Sequence, residues 1–509
     1  MDGMSNMESM MNINRRHFFK LAGLGVAGSM AGSLSFSCTQ RSSQPNILFL
    51  FTDDQRFDTI QALDNPAVQT PHLDKLVKNG VSFTNAYIMG GFSGAICMPS
   101  RAMLMTGRHL FNIRDNGRHI PDNHIMLPEY LQSLGYDTFG TGKWHNGRAA
   151  YARCFNHGGE IMFGGMGDHW NVRAHDFDPS GQYDQTTPVI KDPFSSNEIT
   201  WEKYDHIHDG KHSSELFAEA TLDFLNHRDR NKPFFAYVSF MAPHDPRSMP
   251  KEYQEMYDPK TIELPPNFIS EHPFDNGELK VRDEMLEEHP RTPEAIREHI
   301  TDYYAMITHL DAQIGRLLQA LEEKGELENT VIVFAGDNGL AVGQHGLLGK
   351  QNVYEHSVHV PLIMAGPGLP NGETRESFCY LFDIFPTLCE HLGFAIPESV
   401  DGKSLVPAIK DAEVWVRNQV FFAYKNFQRG YRKEKWKLIK YNVNGLQRTQ
   451  LFDLEADPWE TRDLSANPDY QEQVNSLTRE LGELMKETGD PADLSQVNWG
   501  VPQSKAWGS

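Results

Sequence analysis

The chain has 509 residues, 39% hydrophobic and 23% charged, with a formal net charge of -21 at pH 7. That length buries about three quarters of the unfolded surface and fits two or three domains, and the composition is that of a soluble globular protein. The acidic balance excludes nucleic acid, and any anionic surface held by bulk electrostatics, so an anionic substrate has to be attracted locally.

Residues 1–44 read as a targeting segment. Arg15-Arg16-His17-Phe18-Phe19-Lys20 has the form of a twin-arginine export motif, and Leu21 to Phe36 is apolar but diluted by Gly, Ala and Ser, too short and weak for a membrane span. Leu34-Ser35-Phe36-Ser37-Cys38 reads as a loose lipobox with Cys38 as the lipidated residue; simple cleavage near Gln40 to Ser43 is the alternative. The expected location is the periplasm or outer cell envelope, with membrane contact only through such an anchor. Of the five cysteines, Cys154, Cys379 and Cys389 lack metal-ligand spacing and read as buried thiols, a Cys379–Cys389 disulfide remaining open.

From Pro45 onward, apolar runs without alternation predict parallel strands buried on both faces. Pro45 to Phe51 ends in Thr52-Asp53-Asp54. Thr70 and Pro71 form a helix start, and Phe83 to Tyr87 is a strand-like lead toward Cys97. Glu129 to Leu134 is a short helix closed by Gly135, and the strand Asp137 to Thr141 delivers Gly142-Lys143-Trp144-His145. Residues 150–210 carry no periodicity and read as a long ordered insertion. Ser213-Ser214-Glu215 caps a helix to Leu225; Phe234 to Met241 is another buried strand, ending in Ala242-Pro243-His244-Asp245-Pro246-Arg247. After a patternless Pro- and Glu-rich crossing over 250–292, Ala295 to Lys324 has the best helical periodicity, and the strand Val331 to Ala335 ends in Gly336-Asp337-Asn338-Gly339.

Alternating strands and helices predict an α/β domain over 45–415, with a mostly parallel central sheet flanked by helices. Short alternating strands and a final helix predict a smaller antiparallel sheet-and-helix domain over 416–509. In such sheets ligands gather beyond the carboxyl ends of the strands, where Asp53-Asp54, Lys143 with His145, His244 and Asp337-Asn338 all fall. Asp53, Asp54, Asp337 and Asn338 offer only oxygen, which selects a hard cation, Ca2+ or Mg2+, over Zn2+.

Cys97 begins Cys97-Met98-Pro99-Ser100-Arg101 and a run ending in Thr106-Gly107-Arg108, a turn handing the cysteine to the start of a helix, where free N–H groups and the helix dipole favour a reactive group. This stretch resembles the signature of the sulfatase family, Cys-x-Pro-Ser-Arg with a Thr-Gly-Arg ending. Leu451-Phe452-Asp453-Leu454, Asp457-Pro458 and Glu460 extend the resemblance to the C-terminal part, so that it covers nearly all of the chain from Pro45. It implies an alkaline phosphatase-like fold. It further implies a cysteine oxidised by a formylglycine-generating maturation enzyme to Cα-formylglycine, whose hydrate is the nucleophile. In the family the matching Asp53-Asp54 and Asp337-Asn338 pairs bind Ca2+, with position 97 completing the shell.

By the same resemblance Arg101 orients the diol, Lys143 contacts sulfate and diol, and His145 takes the proton of the second hydroxyl so that sulfate is expelled. His244 and Lys350 hold the leaving-group oxygen, with His244 as the acid. His169, Trp170, Arg173, His175 and Arg247 are of types that grip sugars, carboxylates and further sulfates, and are expected at the pocket rim. One departure from the family is His359 before Val360-Pro361, where Arg is frequent; it bears on packing or rim chemistry. The expected function is hydrolysis of sulfate esters on a polysaccharide-derived glycan, with algal polymers such as ulvan or carrageenan ahead of animal glycosaminoglycans. The alternatives are a formylglycine-dependent phosphonate or phosphodiester hydrolase, against which Asn338 stands where those relatives place His, and an inactive glycan-binding lipoprotein.

Overall fold

A computed structural model describes residues 44–192 and 194–501. Residues 1–43, Cys38 included, lie outside the described residues. Among the described residues, no helix is long and apolar enough to cross a membrane.

An eight-stranded sheet organises the chain. From edge to edge its strands are Glu373–Arg375, Gly80–Phe83, Leu362–Ala365, Thr330–Gly336, Asn46–Thr52, Phe234–Ser239, Asp137–Trp144 and His157–Phe163. The four strand pairs from Thr330–Gly336 to His157–Phe163 are all parallel, while Leu362–Ala365 runs antiparallel to both its neighbours. The unbroken apolar run at the first strand has a direct cause. Ile47, Phe49 and Phe51 pack into one core and Leu48 and Leu50 into another, so both faces of the strand are covered. The helix Pro293–Glu323 covers the second face with Ile300, Ile307, Leu310 and Ile314, and its N-cap is Thr292, whose hydroxyl accepts the Ala295 N–H.

The C-terminal segment forms an antiparallel sheet of Gln419–Tyr424, Gln428–Lys433, Trp436–Val443 and Leu446–Asp453, packed by the helix Gln471–Glu487. Its fifth strand is not C-terminal. Gly90–Gly91, just before the Cys97 turn, pairs parallel with Gln419–Tyr424, an addition that two glycines give no periodic signal to predict. A Cβ on Gly90 would lie 2.1 Å from the Ala423 carbonyl oxygen, so only glycine allows the approach.

Local departures from expectation each have a physical reason. The Thr70 hydroxyl does not cap its helix: it accepts from the Gln61 N–H and donates to Asp74. The helix Ser213–His227 is capped by the His212 ring, which accepts the Ser214 N–H, and not by Ser213. Within the 150–210 insertion lie a helix, Arg148–Cys154, and the edge strand His157–Phe163, whose glycines and half-exposed residues hide it from a hydrophobicity reading. Cys154, Cys379 and Cys389 are buried free thiols, so Cys379 and Cys389 form no disulfide.

Gly142, at a bulge between paired strands, has φ +83, and a Cβ there would lie 1.9 Å from the Ser239 carbonyl oxygen; Gly135 has φ +94 but open space around it. Gly135→Ala should cost about 1–2 kcal/mol of left-handed strain alone. Gly142→Ala adds a backbone clash and should cost more than about 3 kcal/mol. Urea unfolding of the two variants checks the difference; equal losses would contradict the packing described.

Candidate active site

Five elements deliver polar groups to the carboxyl edge of the sheet. The strand Asn46–Thr52 ends at Asp53 and Asp54, the latter turned by a φ of +65 so that its N–H donates to Asp337 Oδ1 at 3.0 Å. The strand Thr330–Gly336 presents Asp337 and Asn338, and the strand Asp137–Trp144 presents Lys143 and then His145. His244 follows Phe234–Ser239. Cys97 is the first residue of the fully buried helix Cys97–Thr106, which closes on Gly107 at φ +63.

The result is a buried set of three carboxylates and three cations around the Cys97 sulfur. Lys143 pairs with Asp53, and its Nζ also lies 3.5 Å from Cys97 Sγ. Lys350 Nζ is 2.5 Å from Asp54 Oδ1, and Asn338 Nδ2 donates to the same oxygen at 2.6 Å. Arg101, one helical turn beyond Cys97, donates from Nε to Asp337 Oδ2 at 2.9 Å and from Nη1 to Ser239 Oγ at 2.5 Å. His145 Nδ1 is 3.5 Å from Cys97 Sγ, and His244 Nε2 is 3.6 Å from Asp54 Oδ2.

Burial alone would raise the Asp53 carboxyl, but Lys143, His244, Arg101 and Lys350 hold it well below the usual carboxylate range. Asp337 goes the other way: burial and the facing Asp53 charge push it up. Burial, then Lys143 and Arg101, drive His145 down to about 3, so its ring is neutral in this arrangement of charges. Burial raises the Cys97 thiol, leaving an unmodified cysteine protonated and a poor nucleophile.

Two oxygens in this set, Asp53 Oδ1 and Asn338 Oδ1, are buried without a hydrogen-bond partner. An orphaned carboxylate oxygen and amide oxygen beside Asp54 and Asp337 make an oxygen donor set that suits a hard divalent cation, and such a cation would relieve the Asp53–Asp337 repulsion. Asp53, Asp337 and Cys97 themselves offer ligand atoms within 4.8 Å of one another.

The expected rim residues divide. Arg247 reaches the neighbourhood of the cluster: it stacks 5.7 Å from the ring of Tyr303, whose hydroxyl donates to the Asp54 carbonyl at 2.6 Å, and its Nε and Nη2 are buried without a partner. Trp170 is half-buried, its ring edge-on to His212. Arg173 is exposed and pairs with Glu202 over Tyr204. Two histidines are corrected. His169 is 0% exposed and both its nitrogens are engaged, Nδ1 with Ser213 Oγ at 2.7 Å and Nε2 donating to the His244 carbonyl at 3.0 Å, so it braces the His244 loop from below and has no face for a sugar. His175 is buried against Phe163 and Tyr183. His359 stacks on Phe57 at 3.8 Å and donates to the Thr84 carbonyl, a packing role.

The crossing over 250–292 contributes more than surface loop. Glu284, buried, accepts from the Leu348 and Gly349 N–H groups at 3.0 and 2.7 Å and pairs with Arg291, fixing the loop that carries Lys350. Arg282 from the same crossing pairs with Asp245 beside His244. A single acidic residue in an acidic stretch carries no signal that it points inward.

The Sulfatase family model matches residues 45–394, and a model for the C-terminal region of N-sulphoglucosamine sulphohydrolase matches 343–487. The chain belongs to the sulfatase family and is a sulfuric ester hydrolase. It is 26% identical to an N-acetylglucosamine-6-O-sulfatase of Bacteroides thetaiotaomicron, over 89% of this chain and 88% of that one. It is 29% identical to an ulvan-active sulfatase of Formosa agariphila, over 88% and 82%. A solved structure in complex with its substrate D-glucosamine-2-N,6-O-disulfate shares the fold, with a TM-score of 0.70 at 22% identity over 90% of this chain and 100% of that one. The fold is thus alkaline phosphatase-like, with a large mixed α/β sheet domain and a smaller C-terminal domain.

Burial pushes His169 down to about 4. Its unfolded form takes up a proton below about pH 6.5 while the folded form does not, so this group costs stability progressively as pH falls from 6.5 toward 4. His169→Asn should therefore be less stable than the parent at pH 8, where only hydrogen bonds are lost. Acidification to pH 5 should then cost the variant about 2 kcal/mol less than the parent. Urea unfolding at the two pH values checks this; identical acid sensitivity would contradict a buried neutral ring.

Proposed function

We propose that this protein hydrolyses sulfate esters on a sulfated glycan, at a site centred on Cys97 converted to formylglycine. The observation that carries the proposal is the convergence of Lys143 and His145 on the Cys97 sulfur, both at 3.5 Å, inside a cluster of balanced buried charge. Formylglycine at position 97 supplies a hydrated aldehyde as nucleophile, and Ca2+ held by Asp53, Asp54, Asp337, Asn338 and position 97 supplies positive charge to the sulfate oxygens.

The other residues follow from their positions. Lys143 and Lys350 hold anionic oxygens on two sides of the reacting centre, and Arg101 fixes Asp337 and the helix start. His145, neutral beside position 97, takes a proton from the nucleophile's second hydroxyl, and His244 gives a proton to the departing sugar oxygen. Arg247, Trp170 and Arg173 are proposed to grip the rest of the glycan, Arg247 with its unpartnered guanidinium nitrogens.

Glycan over small metabolite is supported by the names of the two relatives and by the long polar insertion beside the site. The twin-arginine motif supports export to the periplasm or outer envelope, with Cys38 as the proposed lipid anchor, and Cys97-Met98-Pro99-Ser100-Arg101 supports recognition by a formylglycine-generating maturation enzyme.

The test is inorganic sulfate release from a panel of sulfated algal and animal oligosaccharides, with protein co-produced with its maturation enzyme. One linkage should be cleaved, and Cys97→Ala should abolish release by at least about 1000-fold. Release of phosphonate or phosphodiester products with no sulfate from any glycan would overturn the reading.

A further inference from the structure

A second group of ligating side chains lies in the insertion, apart from the catalytic cluster. Glu160 sits in the edge strand His157–Phe163 at a bulge, where the register jumps from Gly159 to Ile161 and leaves Glu160 unpaired at φ +50. The two-residue strand His206–Ile207 pairs with Arg173–Ala174, and His175 bridges to Ile161, so the insertion is laid against the edge of the central sheet. His206 and His208, two apart at strand spacing, face the same way and meet the Glu160 carboxylate. Glu160 Oε2 is 2.9 Å from His206 Nε2, and Oε1 is 2.8 Å from His208 Nε2.

We propose that Glu160, His206 and His208 form a transition-metal site, Zn2+ by ligand type, that clips the insertion to the edge strand of the central sheet. The three donor atoms lie within 4.8 Å of one another. Donors around a tetrahedral zinc at about 2.0–2.1 Å are about 3.3 Å apart, so the observed separations need only small adjustment. The far nitrogen of His206, Nδ1, lies 3.9 Å from Asp176 Oδ1. That is an ion-pair distance and not a hydrogen bond, so Asp176 contributes negative charge behind the ring, which raises the imidazole's basicity as a ligand. Two imidazoles and one carboxylate suit Zn2+, Ni2+ or Cu2+ and do not suit Ca2+, which takes six to eight oxygens, so this site and the oxygen-lined cluster at Cys97 choose different ions. Glu160 and His208 also line a groove of about 490 Å³, together with Asp176, Lys211 and Glu219.

The experiment uses the full chain, stripped with a chelator and returned to buffer with excess Ca2+. Zn2+ is then titrated in, and retained metal is counted by mass spectrometry after gel filtration. One Zn2+ per chain should be retained, and Co2+ in its place should give visible d–d absorption. His206→Gln combined with His208→Gln should weaken Zn2+ binding at least 100-fold, and Asp176→Asn about tenfold. Asp53→Asn with Asp337→Asn should leave Zn2+ binding unchanged. If the double histidine variant fails to fold by circular dichroism, His208→Gln alone, on a side chain 43% exposed, gives the answer. Retention of no Zn2+ by the parent overturns the proposal, as does unchanged retention by the histidine variants or loss of Zn2+ by an Asp53→Asn/Asp337→Asn protein whose circular dichroism matches the parent's.

Discussion

Placing three carboxylates and three cationic side chains out of water at one sheet edge is the constraint on which this structure depends. Each charge in isolation would carry a desolvation cost of several kcal/mol, so none can be present without the others. Asp53 needs Lys143, Asp54 needs Lys350, and Asp337 needs Arg101. The scaffold follows from that need. Parallel strands covered on both faces hold the carboxylates, the buried helix Cys97–Thr106 holds Arg101, and Glu284 holds the loop of Lys350 by its backbone.

The pairing is balanced but not complete. Asp53 and Asp337 face each other closely enough that one is held ionised and the other pushed toward its neutral form, and two oxygens of the set have no partner. A folded protein tolerates such frustration where a cation can enter, and only with that added positive charge does the site favour an anionic ester. Attraction of an anion is therefore local: Lys143 and Lys350 act on Cys97 in one direction and Asp53 and Asp337 in the other, so the balance among these buried groups decides the field there.

Most of this was legible in the sequence because buried parallel strands announce themselves as unbroken apolar runs, and the polar residue that ends each run is by geometry at the ligand edge. Asp53, Lys143, His244 and Asp337 follow such runs and the fold brings them together, while Cys97 is marked by its turn and by the family-like signature, and Lys350 by the resemblance alone. What was not legible lacked periodicity. The edge strand His157–Phe163 has one half-open face and two glycines, Gly90–Gly91 is too short to pattern, and Glu284 is a lone buried acid in an acidic stretch. For His169 a polar loop suggests exposure at the rim, whereas its two hydrogen bonds place it beneath His244. The Glu160–His206–His208 group joins residues 46 apart in sequence across a bulge, a juxtaposition only the fold creates.

The most direct test of the charge-cluster account is calorimetric titration of Ca2+ into the chelator-stripped protein. The account predicts one site per chain, lost in an Asp53→Asn/Asp337→Asn protein that keeps the parent's circular dichroism, while Glu160→Gln leaves it intact. Failure of the parent to bind Ca2+, or equal binding by the Asp53→Asn/Asp337→Asn protein, would contradict it and separate the carboxylate cluster from any role in holding a cation.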